Sequence, residues 1–87
     1  MATVHIPAAM RTLTGGLSHV EASGETVLTV VRDLEARHPG FEVRVLDGDR
    51  LRAGLAVFLN GEQVPPHLRS RVVAEDRIYF APAIGGG

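Results

Sequence analysis

The chain ends Pro82-Ala83-Ile84-Gly85-Gly86-Gly87, and its three consecutive glycines carry no side chain with which to do chemistry. What they present is a slender backbone, able to thread into a narrow channel, and a terminal carboxylate. From Pro82 the last five residues reach roughly 17 Å when extended. Glycine loses more conformational freedom on ordering than any other residue, so this segment is expected to be a flexible tail and not a source of stability. A free carboxylate is a poor electrophile. If Gly87 is the reactive end, its carboxylate must first be activated, most simply as an acyl-adenylate made from ATP by a partner. A short Gly-Gly ending by itself is more often a frayed terminus, so what the rest of the chain builds decides its meaning.

The other chemistry-bearing residues do not assemble into a motif. His5, His19, His38 and His67 are dispersed. Neighbouring strands would bring His5 near His19, but no carboxylate spacing completes a metal or catalytic set, and surface imidazoles are the expected reading. Ser18, Ser23 and Ser70 lack a nucleophile elbow, and Asp47-Gly48-Asp49 lacks the remaining ligands of a calcium loop. Gly15-Gly16 is not followed by the Lys-Ser/Thr of a phosphate loop, so any ATP belongs to a partner and no bound cofactor is expected. With no cysteine, thiolate metal sites, disulfides and a thiol nucleophile are excluded.

Composition narrows the class further. Eighty-seven residues make one small domain, and 45% hydrophobic with 22% charged residues is the balance of a folded protein. Nine arginines, no lysine and ten acids leave a net charge of -1, with no basic stripe for nucleic acid or an anionic membrane. The N-terminus lacks a basic region followed by a long apolar core, and no stretch approaches bilayer length, so a cytoplasmic protein is expected.

The elements that must position the tail follow from periodicity. Val4 and Ile6 alternate with Thr3 and His5, and Pro7 ends the strand. After a loop from Ala8 to Gly16, Val20 and Ala22 alternate with His19 and Glu21, predicting a hairpin partner closed around Gly15-Gly16. Ser23-Gly24-Glu25-Thr26 offers capping residues, and Val27, Val30, Val31 and Leu34 form one helical stripe. Asp33 and Arg37 are spaced to pair, and Pro39-Gly40 stops the helix. Phe41 to Leu46 packs under the helix, Asp47-Gly48-Asp49 turns, and Leu55-Ala56-Val57-Phe58-Leu59 with Asn60-Gly61 reads as a hairpin into Glu62 to Val64. Residues 67 to 74 are a connection with one short turn at most, and Arg77-Ile78-Tyr79-Phe80 alternates as a closing strand ending at Pro82. The expectation is an α+β domain over 1–82, with a mixed sheet of four to five strands on one main helix, followed by the tail 83–87.

Taken together, Val4-His5-Ile6-Pro7, Thr14-Gly15-Gly16, Ala22-Ser23-Gly24-Glu25-Thr26, Asp33-Leu34-Glu35-Ala36, Val57-Phe58-Leu59-Asn60-Gly61-Glu62 and the Gly85-Gly86-Gly87 ending resemble the ubiquitin-like β-grasp sulfur carriers of the MoaD and ThiS family, its CysO branch above all. The resemblance spans the chain. It implies a carrier that is not itself an enzyme, with the family's terminal diglycine at Gly86 and Gly87. Gly87 would bear the carboxylate that an activating adenylyltransferase, often joined to a rhodanese-like domain, adenylates with ATP and converts to a thiocarboxylate. The sulfur would pass to an acceptor such as a PLP-dependent cysteine synthase or a thiazole-synthase-like enzyme. A metalloprotease that trims or releases the tail is a further partner the resemblance implies. Ile84, Gly85, Gly86 and Gly87 would thread into the partner.

If Val57, Ile78 and Phe80 face the helix, then Phe58 and Tyr79 fall on the open face of the sheet beside the tail, where exposed aromatics suit docking. The competing expectation is that Phe58 belongs to the core. A second function class is a ubiquitin-like modifier, joined through Gly87 to lysines of target proteins. Having no lysine, the chain cannot build side-chain-linked polymers of itself.

Overall fold

The first alternation forms β1 (Ala2–His5), with Ala2 and Val4 buried and Thr3 and His5 turned the other way. In the computed structural model, which describes residues 1–82, β1 pairs antiparallel with β2 (His19–Ala22), setting Val4 against Val20 and His5 against His19. The connection between them is more ordered than the loop expected. Ala8–Thr14 forms a 3₁₀ helix because Met10 and Thr14 are buried there and Leu13 packs on the core, which overrides weak local propensity. Gly15 closes it in the left-handed conformation, φ 66°, as the turn reading of Gly15-Gly16 requires.

Helix α1 (Val27–Arg37) begins at a reciprocal cap. Thr26 Oγ1 accepts from Thr29 N–H at 3.2 Å, and Thr29 Oγ1 accepts from Thr26 N–H at 3.0 Å. Val27, Val30, Val31 and Leu34 are fully buried, and Arg37 pairs with Asp33 at 2.8 Å on the outer face. Gly24 runs so close to the first turn that a Cβ there would lie 2.6 Å from Thr29 Oγ1 and 2.7 Å from Val30 N.

Phe41 to Leu46 does pack beneath α1, but as a second short helix, α2 (Phe41–Val45), followed by a strand. Glu35 organises its start, with Oε1 accepting from Gly40 N–H at 3.0 Å and Glu42 N–H at 2.9 Å. Asp47-Gly48-Asp49 turns between β3 (Leu46–Asp47) and β4 (Arg50–Leu51), a small separate hairpin. Then β5 (Leu55–Leu59) turns through Asn60 and Gly61, at φ 52° and 88°, into β6 (Glu62–Gln63), one residue shorter than expected.

The last strand, β7 (Arg77–Pro82), is central. It lies between β1, to which it is parallel, and β5, to which it is antiparallel, in the order β2-β1-β7-β5-β6. A parallel neighbour requires a crossover, and α1 lies along the intervening chain. The outcome is the α+β arrangement expected, a five-stranded mixed sheet with one main helix. Ala2, Val4, Ile6, Val57, Ile78 and Phe80 join the α1 stripe in one core. Among the described residues no helix is long and apolar enough to cross a membrane.

Candidate functional site

Ile84, Gly85, Gly86 and Gly87, the residues assigned to threading and activation, lie outside the described residues. What the structure does describe is the approach to them. β7 runs up the middle of the sheet and ends at Pro82, opposite Leu55. Tyr79 precedes Pro82 by about 10 Å along this strand.

The strand registers bring residues of five strands into a row across the face of the sheet turned away from α1. His19 stands opposite His5, His5 beside Tyr79, Tyr79 opposite Phe58, and Phe58 opposite Gln63. Partners in register share a face, and this is the face not used by Val57, Ile78 and Phe80, all of which are buried. Tyr79 is 37% exposed, and Phe58 is half-buried outside the core cluster.

Two histidines extend the row. His5 stacks on Tyr79, with ring centroids 4.1 Å apart and planes 11° from parallel, and His19 follows at 5.8 Å from His5. The expectation of surface imidazoles fits one of the two. His19 is exposed, with Nδ1 3.2 Å from Ser18 Oγ, but His5 is half-buried and its Nε2 has no hydrogen-bond partner. Burial, then the neighbouring His19 and Arg77, hold the His5 pKa below its ordinary value. Alternation places His5 on this face, but the Tyr79 stack depends on the β1–β7 register, which a single sequence does not encode.

His38 follows α1 half-buried, and His67 Nδ1 accepts from Arg69 N–H at 2.9 Å, a local turn contact. No three of His, Cys, Asp and Glu gather around a common point among the described residues. A cavity of about 570 Å³ opens on the helical side beside Glu35, Glu42 and Val43, but the Glu35 carboxylate there is committed to the α2 amides.

Asp76 has a role that no sequence motif signals. Its carboxylate accepts from Val73 N–H and Asn60 Nδ2, each at 2.8 Å, while Asn60 Oδ1 accepts from Arg77 N–H at 2.9 Å. These bonds, that of Val73 foremost, hold its pKa below the usual carboxylate value. They lock the β5–β6 turn to the start of β7. This is support for the central strand and not reactive chemistry.

The candidate site is therefore a ringed sheet face that includes the strand leading into a glycine ending. Residues 4–87 match the ThiS family, and the chain belongs to it. The sulfur carrier protein CysO of Mycobacterium bovis is 34% identical over 90 residues, covering 98% of this chain and 97% of that one. Among solved structures, the BexX/CysO complex of Amycolatopsis orientalis has a chain that matches with a TM-score of 0.90 and 38% identity, with both chains fully covered. Small archaeal modifier protein 1 of Methanosarcina acetivorans matches over 99% of this chain and 95% of its own, with a TM-score of 0.79 at 23% identity. The shared fold is the ubiquitin-like β-grasp.

Proposed function

We propose that this protein is a sulfur carrier whose working group is the Gly87 carboxylate. In the first step a carboxylate oxygen attacks the α-phosphorus of ATP on an activating adenylyltransferase, and pyrophosphate leaves. In the second, a sulfide-level sulfur nucleophile supplied by the partner attacks the acyl carbon, and AMP leaves. The product is a thiocarboxylate, ionised at neutral pH and nucleophilic, which an acceptor enzyme such as a cysteine synthase consumes. The carrier contributes no catalytic side chain. It supplies a thread, Ile84 to Gly87, and a docking face on which Phe58 and Tyr79 are the apolar anchors.

The observation that carries this reading is the family match, which continues through the terminal glycines at near full length. The absence of cysteine is consistent with sulfur travelling on the C-terminus.

The test is intact-mass and C-terminal fragment mass spectrometry on the protein isolated from its native host. Replacement of one oxygen by sulfur, confined to the last glycine, is the expected result. Fragment localisation matters because oxidation of Met1 or Met10 changes the mass almost equally. An unmodified Gly87, together with adducts in which the Gly86-Gly87 end of this chain is joined to lysines of other proteins, would assign the chain to the modifier class instead.

A further inference from the structure

The histidine end of the ring row borders an open recess of about 340 Å³ lined by Thr3, His5, His19 and Arg77. Its chemistry is one-sided. Two imidazoles, a guanidinium and a hydroxyl converge, all of them able to donate hydrogen bonds to an anion. Arg11 adds a second guanidinium on the other flank of His5, where it shares a neighbouring cavity with His5 and Tyr79. Among the described residues, the one acid that β2 places on this face is Glu21, opposite Thr3. From β5 and β6 come only the uncharged Ala56, Phe58 and Gln63.

Among the described residues the ion pairs are Arg32–Glu42 and Arg37–Asp33, so no carboxylate compensates Arg77. His5 Nε2 is buried without a partner. Arg77, outside both of these pairs, disfavours the charged form of His5 beside it, and an incoming anion relieves this. The surface is also a docking face on the proposed function, which gives such an anion a source.

We propose that the Thr3–His5–His19–Arg77 recess is an anion subsite of the docking face, and that its occupant is a carboxylate side chain of the protein docked there, bound with uptake of a proton by His5. The identity of the occupant rests on the docking role, and its charge on the recess alone. At neutral pH His5 is predominantly uncharged, its pKa being held low by burial and by its cationic neighbours. A carboxylate beside it reverses that balance, so binding and protonation favour each other.

Tyr79 is the single tyrosine and the chain has no tryptophan, so intrinsic emission reports the ring stacked on His5. An imidazolium in that position quenches it. The full chain is titrated in sodium acetate and in sodium chloride at equal ionic strength. The expected midpoint is higher in acetate by about half a pH unit, a roughly threefold preference of carboxylate for the protonated subsite. Arg77→Gln should shrink the difference, and His5→Ser should abolish the transition. Coincident midpoints in the two salts would overturn the subsite.

The occupant is tested by calorimetry with the activating adenylyltransferase, in two buffers of different ionisation heat. Proton uptake by the wild type near neutral pH, lost in the His5→Ser/His19→Ser double variant, is expected. Binding without uptake would overturn the assignment to a partner carboxylate. Phe58→Asp separates the two ideas: if that variant binds as the wild type does, the docking role falls with the proposed occupant, whereas the acetate result still decides the recess.

Discussion

The two faces of the five-stranded sheet are made by alternate residues of the same strands, yet they have opposite characters. On β7, Ile78 and Phe80 are buried against α1, while Tyr79 between them stands on the other face, partly exposed. On β5, Val57 is fully buried and Phe58 is not. The helix-side face carries apolar side chains, Phe80 among them, in one continuous core, whereas the open face sets rings beside ionisable groups, with a recess at its histidine end. A face kept only for stability has no need of His5 with an unpartnered nitrogen. The contrast teaches that half of this sheet holds the fold and the other half is available for recognition.

Substituting neighbours on opposite faces is the sharpest way to break that contrast. Ile78→Ala should cost about 2–5 kcal/mol, as expected for a buried aliphatic cut to alanine, read from denaturant midpoints. Tyr79→Ala, one residue on, should cost about 1 kcal/mol, mostly the ring stack on His5. Equal losses at the two positions would abolish the distinction between faces.

Gly24 guards the helical side from the α1 end. Its φ of 158°, and the backbone atoms that would lie closer than 3 Å to any Cβ it carried, mean that Gly24→Ala must displace the first turn of α1. A loss of about 2 kcal/mol is expected, with circular dichroism at native conditions little changed. On the open face, Phe58→Asp should leave a folded domain and weaken binding to the adenylyltransferase proposed as its partner by tenfold or more, about 1.4 kcal/mol. Unfolding of this variant would instead make Phe58 part of the core.

Smaller effects come from the two shifted groups, and both make the domain less stable in acid. Asp76 has a folded pKa below 3.8, so its contribution is complete above that value and fades as pH falls through the folded one. Asp76→Ala should cost about 1 kcal/mol at neutral pH, and the difference from wild type should narrow below that range. His5 also has a lowered folded pKa. Its neutral form is favoured by folding, so wild-type stability should decline as pH drops from 6.5, and His5→Ser should flatten that decline.

Much of this arrangement is legible in the sequence, for identifiable reasons. The stripe Val27, Val30, Val31 and Leu34 spells its helix because one face repeats at helical spacing, and Asn60-Gly61 spells its turn because both residues take positive φ. The alternation around Val57 and Ile78 likewise assigns Phe58 and Tyr79 to one face. What local pattern does not encode is contact between distant segments. The connection 67 to 74 carries Leu68 and Val72, both buried in the core, and Leu68 O accepts from Leu28 N–H of α1 at 2.9 Å. The 3₁₀ helix at Ala8–Thr14 and the short α2 are held by such packing too. The Asp76 bonds and the His5–Tyr79 stack require knowing which strands are neighbours.

The parallel pairing of β1 with β7 ties Val4 to Ile78 across most of the chain. A sheet closed this way has no independently complete first half: without its central strand, β1–β2 and β5–β6 are separate hairpins with no ladder between them. The closing step joins segments of large sequence separation, the kind of contact that is slow to form. The ringed face is assembled at the same moment, because His5 and Tyr79 meet only across that ladder. A partner that reads the rings before engaging the chain beyond Pro82 would thereby recognise finished molecules and pass over incomplete ones.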